Sequence, residues 1–248
     1  MNKKIFAFLL IVSFSGFSQP KAIDHSPWTV LLKKHLNAKS IVNYKGMQAD
    51  LPKLDAYLDM LSKNAPDKKW GTNEKLSFWI NAYNAFTVKL ILDYYQNGKL
   101  KSIKDIGTII PIPKINDGWS KKFIKIGNKT LSLNNIEHDI IRKEFAEPRI
   151  HAALVCAAKS CPPLRNEAFE ASKLHAQLND QMNDFLNDVS KNNIKSNGAT
   201  ISPLFDWYGG DFTKTKPLID WINQYSKTKM GAGSKIIFGD YDWALNDW

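Results

Sequence analysis

The two cysteines of the chain, Cys156 and Cys161, are the residues best suited to covalent chemistry. A cysteine thiolate attacks acyl carbons when a histidine accepts the thiol proton and an amide or carboxylate orients that histidine. The chain has five histidines and several asparagines, so all three residue types are present. These residue types favour a thiol-dependent hydrolase or transferase, with Cys156 as the nucleophile.

The residues around Cys156 bear on which histidine could pair with it. Residues 152–158 form a small and apolar run, which is typical of a buried strand. His151 and Cys156 are five positions apart, so in a regular strand their side chains would point to opposite faces. We therefore expect His138, from a preceding helix, to be the base. His151 would lie behind the site or in the core.

A Cys156–Cys161 disulfide is the alternative to a free thiol, because no other cysteine is available and an oxidising compartment favours pairing. Five extended residues would place the two Cα atoms roughly 16 Å apart, which no disulfide spans. Pairing therefore requires the strand to end by about Ala157, which the Pro162-Pro163 break permits. Both forms remain open. The cysteine spacing fits no usual zinc pattern, and we expect neither a metal nor a cofactor.

The longest helical pattern, residues 73–96, has apolar residues around most of its circumference, which predicts a central buried helix. Asn81 and Asn84 interrupt this pattern at a spacing of three, so they share one face of the helix. Buried amides need hydrogen-bond partners. Each asparagine is therefore either a structural hydrogen-bonding group or the orienting group of the site.

A second helix is predicted from Asn134 or Asn135 to about Phe145. Glu137 falls inside its apolar arc, whereas His138 and Arg142 lie at the edge. A carboxylate directed toward a core is costly unless it is paired, so we expect Glu137 to anchor Arg142 or a backbone amide. The predicted binding residues are Glu137, Arg142, His151, Ser160 and Cys161.

The remaining patterns predict an α+β fold: one helix-rich domain packed on a small, mostly antiparallel sheet. Further helices are predicted over 47–61 and 171–191, the latter with Val189 turned inward, and others begin at Ser26 and Lys216. Hairpins are predicted within 123–133 and 194–201, and a strand over 235–240. The aromatic segment 205–212 could line a cleft, but an aromatic cluster next to a diglycine turn is more often core followed by a tight turn, which is the preferred interpretation. The terminal Trp and Tyr residues are interpreted as tied into the core.

The N-terminus has the pattern of a secretory signal: two lysines, an apolar run over residues 5–14, and small residues at 16 and 18. We expect a signal peptide over 1–18 and a single domain over 19–248, with its core at about 25–248. The protein would then be exported, either periplasmic or secreted, with no transmembrane segment after cleavage of the signal.

The formal charge of +10 comes from scattered lysines without an arginine-rich stripe. That pattern, together with export, argues against nucleic acid as a partner. The expected partner is an envelope or extracellular substrate of unknown identity. The alternative to an enzyme is a non-catalytic exported binding or structural module with a disulfide and a buried polar network.

Several motifs together resemble domain of unknown function 547, a family of exported bacterial proteins and of larger plant and animal proteins. They are Phe78–Asn84, Ile136–His138 with Arg142, His151–Cys156, Ser160–Pro163 and Tyr241–Trp243. The resemblance extends from about Met47 to Trp248. It implies that the asparagine, Glu-His and cysteine motifs form one site, and it implies no particular activity.

Overall fold

The computed structural model describes residues 23–109 and 117–248, so the predicted signal peptide lies outside the described residues. The α-helices are α1 (Ser26–His35), α2 (Tyr44–Ala49), α3 (Leu51–Lys63), α4 (Thr72–Tyr94), α5 (Ile106–Ile109), α6 (Arg142–Glu144), α7 (Ile150–Ala153), α8 (Leu174–Leu186), α9 (Leu204–Trp207), α10 (Gly209–Phe212) and α11 (Leu218–Tyr225). Short 3-10 helices cover Gln96–Gly98 and Ile103–Asp105, and a π-helix covers Asn135–Ile141. The strands are β1 (Ile124–Ile126), β2 (Lys129–Leu131), β3 (Asn193–Lys195), β4 (Gly198–Ile201) and β5 (Lys235–Phe238). The predicted α+β fold is confirmed.

Helix α4 is the central element, as the sequence predicts. Its first turn is fixed by Glu74, whose carboxylate accepts a hydrogen bond from the Gly71 N–H at 2.7 Å. Sixteen of its 23 residues are buried, including both asparagines. A helix that is buried on nearly every side must pack against several neighbours. Here α2, α3 and the π-helix contact it.

The strands form two small sheets. Strands β1 and β2 pair as the predicted hairpin, with Ile124 opposite Leu131. In the second sheet the order is β3-β4-β5, where β3 and β4 are antiparallel and β4 and β5 are parallel. Two of these three pairings are antiparallel, in agreement with the predicted mostly antiparallel sheet.

Two hydrophobic clusters fill the fold. One surrounds α4, and the other joins α8, β4 and the helices α9 to α11. The C-terminal tail closes onto the first cluster, as predicted: the Tyr44 hydroxyl donates to Asn246 Oδ1 at 2.9 Å, and the Leu245 N–H donates to the Lys101 carbonyl at 2.7 Å. The tail therefore helps to fix the wall of the cleft described below.

The predicted strand over residues 152–158 is wrong. Residues up to Ala153 belong to the helical turn α7, and within the rest of this run only Ala158 pairs with another segment, in an isolated antiparallel bridge to Leu245. At Ala153 and Val155 the Asn84 side chain takes the place of a neighbouring strand. Its Nδ2 donates to the Ala153 carbonyl at 2.9 Å, and its Oδ1 accepts from the Val155 N–H at 3.0 Å. An apolar run can therefore be buried without a ladder when a side chain satisfies its backbone groups.

Three smaller predictions also need correction. The helix predicted over 47–61 is two helices that meet at Asp50. Helix α8 ends at Leu186, where Asn187 Nδ2 donates to the Asn183 carbonyl, so Val189 lies beyond it and is 83% exposed rather than inward. The predicted diglycine turn is instead the start of helix α10, because Gly209 and Gly210 both adopt helical geometry.

Candidate functional site

A cleft of about 210 Å³ lies between α4, the π-helix, α7, the cysteine segment, α9 and the C-terminal tail. Its polar wall contains Glu137, His138, His151 and Tyr208, and both cysteines line it as well. Five further aromatic residues line the same cleft: Tyr83, Trp119, Trp207, Tyr241 and Trp243. The sequence-predicted residues Glu137, His138, His151, Cys156 and Cys161 are thus brought together, as the motifs imply.

The imidazole of His151 is the most constrained polar group of the cleft. It is 4% exposed, and its Nε2 lies 2.8 Å from Asp211 Oδ2. The Tyr208 ring stacks on it with centroids 3.8 Å apart. Burial lowers the pKa of His151 below its usual range, although the Asp211 carboxylate opposes this shift. We therefore assign the neutral form with the proton on Nε2, which leaves the Nδ1 lone pair able to accept a proton.

Asp211 is held from two sides. Arg142 donates to it twice, from Nε to Oδ2 at 2.7 Å and from Nη2 to Oδ1 at 3.1 Å. The hydrogen bond with His151 and the pair of bonds from Arg142 lower the pKa of Asp211 well below its usual range. The same guanidinium donates from Nη1 to His138 Nδ1 at 3.1 Å. One arginine thereby links the two histidines of the cleft through fixed geometry.

The buried carboxylate of Glu137 faces tyrosines rather than an arginine. It is 6% exposed, and the hydroxyls of Tyr83 and Tyr208 both hydrogen-bond to it. Burial first, and then this carboxylate, raise the pKa of both tyrosines far above the usual range, so both remain protonated donors. The expected anchoring of Arg142 by Glu137 is not found, because the guanidinium is turned to Asp211.

The two cysteines form a disulfide, so the chain has no free thiol. The chain reverses between them at Ala157, whose φ of 61° lies in the left-handed region, and the Cys161 N–H then donates to the Ala158 carbonyl at 3.1 Å. The predicted condition, an extended segment that ends by Ala157, is met. The Tyr241 hydroxyl lies 3.2 Å from each sulfur.

The two asparagines of α4 bind backbone rather than a histidine. Asn81 repeats the arrangement of Asn84: its Nδ2 donates to the Phe169 carbonyl at 2.8 Å, and its Oδ1 accepts from the Phe169 N–H at 2.9 Å. Neither asparagine lines the cleft. Ser160 also lies outside the cleft lining, and its Oγ accepts from the Asp242 N–H at 2.8 Å. The structural interpretation of the asparagines accounts for all these contacts.

Within residues 23–109 and 117–248, no group of three or more His, Cys, Asp or Glu side chains has the arrangement of a metal site. Over the same ranges, no helix combines the length and the apolar character that crossing a bilayer requires.

Comparison with known protein families gives a match for one segment of the chain. Residues 68–186, just under half of the chain, match the family model described as a protein of unknown function, DUF547. These residues are similar to that family. The predicted resemblance is confirmed over this range. Searches of curated proteins and of solved structures give no significant match.

The DUF547 segment supplies only part of the cleft. Tyr83, Glu137, His151 and the disulfide lie within it, whereas the cleft residues Tyr208 and Tyr241 lie beyond its end, as does Asp211, the partner of His151. None of these three residues is predicted from the sequence as a site residue, nor is Tyr83, although Tyr83 and Tyr241 belong to motifs that carry the resemblance. Asp211 follows Gly209 and Gly210 inside the aromatic segment 205–212. A carboxylate among aromatic residues is the sequence feature that could have indicated a site residue there. His151 was placed away from Cys156 only because a strand was assumed.

Proposed function

We propose that the cleft is the active site of an exported hydrolase or transferase acting on acyl groups, with His151 as the general base and Asp211 as its positioning residue. The observation that carries the proposal is the 2.8 Å contact between His151, which is buried in the wall of the cleft, and the partly exposed Asp211. A neutral imidazole held in one tautomer by a carboxylate is the arrangement that proton abstraction requires.

In the disulfide form the nucleophile is water or an acceptor hydroxyl rather than a cysteine. Both sulfurs are bonded to each other, so neither can attack a substrate. His151 would take the proton from the attacking oxygen as that oxygen forms its bond to the acyl carbon. The bond between the acyl carbon and its leaving group then breaks, and the protonated His151 gives the proton to the departing atom. The Tyr83 and Tyr208 hydroxyls are protonated but donate to Glu137, so either one would have to turn its single proton away from that carboxylate to stabilise a developing oxyanion. Cysteine-dependent catalysis would first require a thiol reductant.

The shape of the cleft limits the substrate. A volume of about 210 Å³ accommodates a reacting group and its immediate neighbours rather than a whole macromolecule. Trp207, which is 48% exposed, and Trp243 stack at 5.8 Å and 16°, and so offer a flat apolar surface beside the polar wall. This combination suits an acyl group attached to a ring or an apolar chain. An envelope or extracellular source of the substrate agrees with the disulfide, because oxidising compartments preserve such bonds.

The test compares the wild type with His151→Gln, Asp211→Asn and the control His175→Gln, using 4-nitrophenyl acetate as the acyl probe. His175 is a surface histidine that binds Arg149 and is remote from the cleft lining. We expect His151→Gln to lower kcat/KM by about 100-fold or more, and Asp211→Asn by about tenfold, with His175→Gln unchanged. The wild-type rate should rise with pH to a plateau, and the midpoint of this rise should lie below pH 6.5, because burial lowers the pKa of His151.

Equal rates for wild type and His151→Gln would overturn the proposal, as would the absence of turnover by the wild type. The second result would favour the alternative, a non-catalytic exported binding module. One observation favours that alternative: Arg142, Asp211 and Glu137 already satisfy one another or the tyrosines without a ligand. Tryptophan fluorescence of the cleft would then respond to bound acyl compounds while no product forms.

A further inference from the structure

The two sulfurs of the disulfide have different surroundings. Cys161 is 3% exposed, whereas Cys156 is only partly buried, and both line the cleft. Two donors converge on the buried sulfur: the Cys156 N–H reaches Cys161 Sγ at 3.0 Å, and the Tyr241 hydroxyl reaches it at 3.2 Å. Hydrogen-bond donors at a sulfur stabilise negative charge on it, and a stabilised thiolate leaves a disulfide more readily.

We propose that Cys156–Cys161 is a thiol–disulfide exchange site for small thiols that enter the cleft, with Cys156 as the attacked sulfur and Cys161 as the leaving sulfur. Attack on the more accessible sulfur sends the electron pair to the sulfur that already receives a hydrogen bond from the Cys156 N–H and that the Tyr241 hydroxyl can also reach. A structural disulfide would be indifferent to this asymmetry. The inference concerns the sulfurs and does not depend on the acyl chemistry proposed for His151.

The exchange balances in two steps. A small thiolate forms a bond to Cys156 Sγ while the Sγ–Sγ bond breaks, and the electron pair stays on Cys161 as a thiolate. A second small thiolate then attacks the sulfur that the first small thiol contributed to the mixed disulfide, and Cys156 is released as a thiolate. The protein disulfide gains two electrons, and the two small thiols are oxidised to one disulfide. Two protons from the small thiols end on the cysteines.

The Tyr241 hydroxyl is suited to this role because it can contact either sulfur. It is 3.2 Å from both, so its single proton can turn to whichever sulfur carries the charge. Burial raises the pKa of Tyr241 well above its usual range, and the hydroxyl therefore remains a donor under all conditions in which thiolates form. Its ring packs against both Trp207 and Trp243, with centroid distances of 5.0 Å and 4.5 Å.

The first experiment identifies the attacked sulfur. The full folded chain is mixed with reduced glutathione, and samples are quenched with acid, which stops exchange by protonating thiolates. Peptide mass spectrometry then locates the glutathione. The proposal requires an adduct on Cys156 and none on Cys161. An adduct mainly on Cys161 would overturn it. So would a disulfide that resists glutathione until urea unfolds the chain.

The second experiment measures the role of Tyr241 with a matched control. Tyr241→Phe removes the hydroxyl and keeps the ring, and Tyr225→Phe removes a hydroxyl that accepts from Gln224 instead. We expect Tyr241→Phe to slow reduction by dithiothreitol about fivefold, and to raise the pKa of the Cys161 thiol in a Cys156→Ser background by about one unit. Tyr225→Phe should change neither quantity. If both variants reduce at the wild-type rate, Tyr241 does not stabilise the leaving sulfur and the assigned geometry is refuted.

Discussion

Replacement of Asn84 by alanine separates the structural interpretation of this residue from the catalytic one. The side chain is 2% exposed and makes two hydrogen bonds to backbone, one to the Ala153 carbonyl and one from the Val155 N–H. The variant Asn84→Ala removes both bonds at once. It leaves a buried carbonyl and a buried N–H without the partners that a neighbouring strand would otherwise supply.

The expected cost follows from these two groups. A buried backbone group left without a partner costs about 1–3 kcal/mol, so two such groups cost about 2–6 kcal/mol of unfolding free energy. The lower end applies if water enters the space vacated by the carboxamide. The loss should also reach the cleft, because the affected backbone lies between His151 and Cys156.

Urea unfolding measures this loss, with Asn73→Ala as the control. Asn73 lies on the same helix, and its one side-chain contact is a long one of 3.5 Å to the Ala171 carbonyl. We expect Asn73→Ala to cost less than about 1 kcal/mol. Hydrogen exchange at the Val155 amide should accelerate in Asn84→Ala and stay unchanged in the control, because only the first variant removes its acceptor.

An Asn84→Ala chain as stable as the control, with a protected Val155 amide, would refute the structural reasoning. If such a chain also lost turnover of the acyl probe, the predicted role of Asn84 as an orienting residue would be supported instead. Unfolding and turnover therefore give opposite patterns for the two interpretations.

Three further predictions concern the rest of the fold. Asp50 is 6% exposed and paired with Lys34 and His35, and these contacts lower its pKa. The stability that it contributes is therefore present above its unfolded pKa of about 3.9 and is lost as the pH falls below that value. In thermal unfolding scans, the Tm difference between wild type and Asp50→Asn should shrink from pH 6 to pH 3. Phe205→Ala should lower the unfolding free energy by about 3–5 kcal/mol in urea, because this 1% exposed ring fills the second hydrophobic cluster. Gly127→Ala should cost about 1–2 kcal/mol in the same assay, because φ is +56° at this hairpin glycine and disfavours any side chain.

The elements that could be predicted are those fixed by local patterns. Helix α4 and the β1–β2 hairpin follow from apolar spacing and a glycine turn, and both were placed to within a few residues. Glu137 was correctly placed in a buried arc of its helix. These predictions succeed because a helix or a hairpin depends mainly on residues within a few positions of each other.

The contacts that could not be predicted join distant segments. His151 and Asp211 are 60 positions apart, and the Tyr241 hydroxyl reaches sulfurs 80 and 85 positions away. No periodicity encodes such pairs. The wrong strand prediction also caused a second error, the separation of His151 from Cys156. In a regular strand the two side chains would point to opposite faces, but the chain is helical at His151 and turns at Ala157, so both side chains line one wall of the cleft.

The wall of the cleft contains a buried apolar segment that belongs to no sheet, which is why its sequence resembles that of a buried strand. Buried backbone must be paired wherever it runs, and here each group finds a different partner. Asn84 accepts from Val155, the Ala157 carbonyl accepts from the Asn246 N–H at 3.0 Å, and the Lys159 N–H donates to the Ala244 carbonyl at 2.8 Å. The disulfide closes the turn between these points. The buried helix, the C-terminal tail and a covalent bond thus fix an irregular segment from three sides, which lets His151 and both sulfurs face one cleft as no regular strand would.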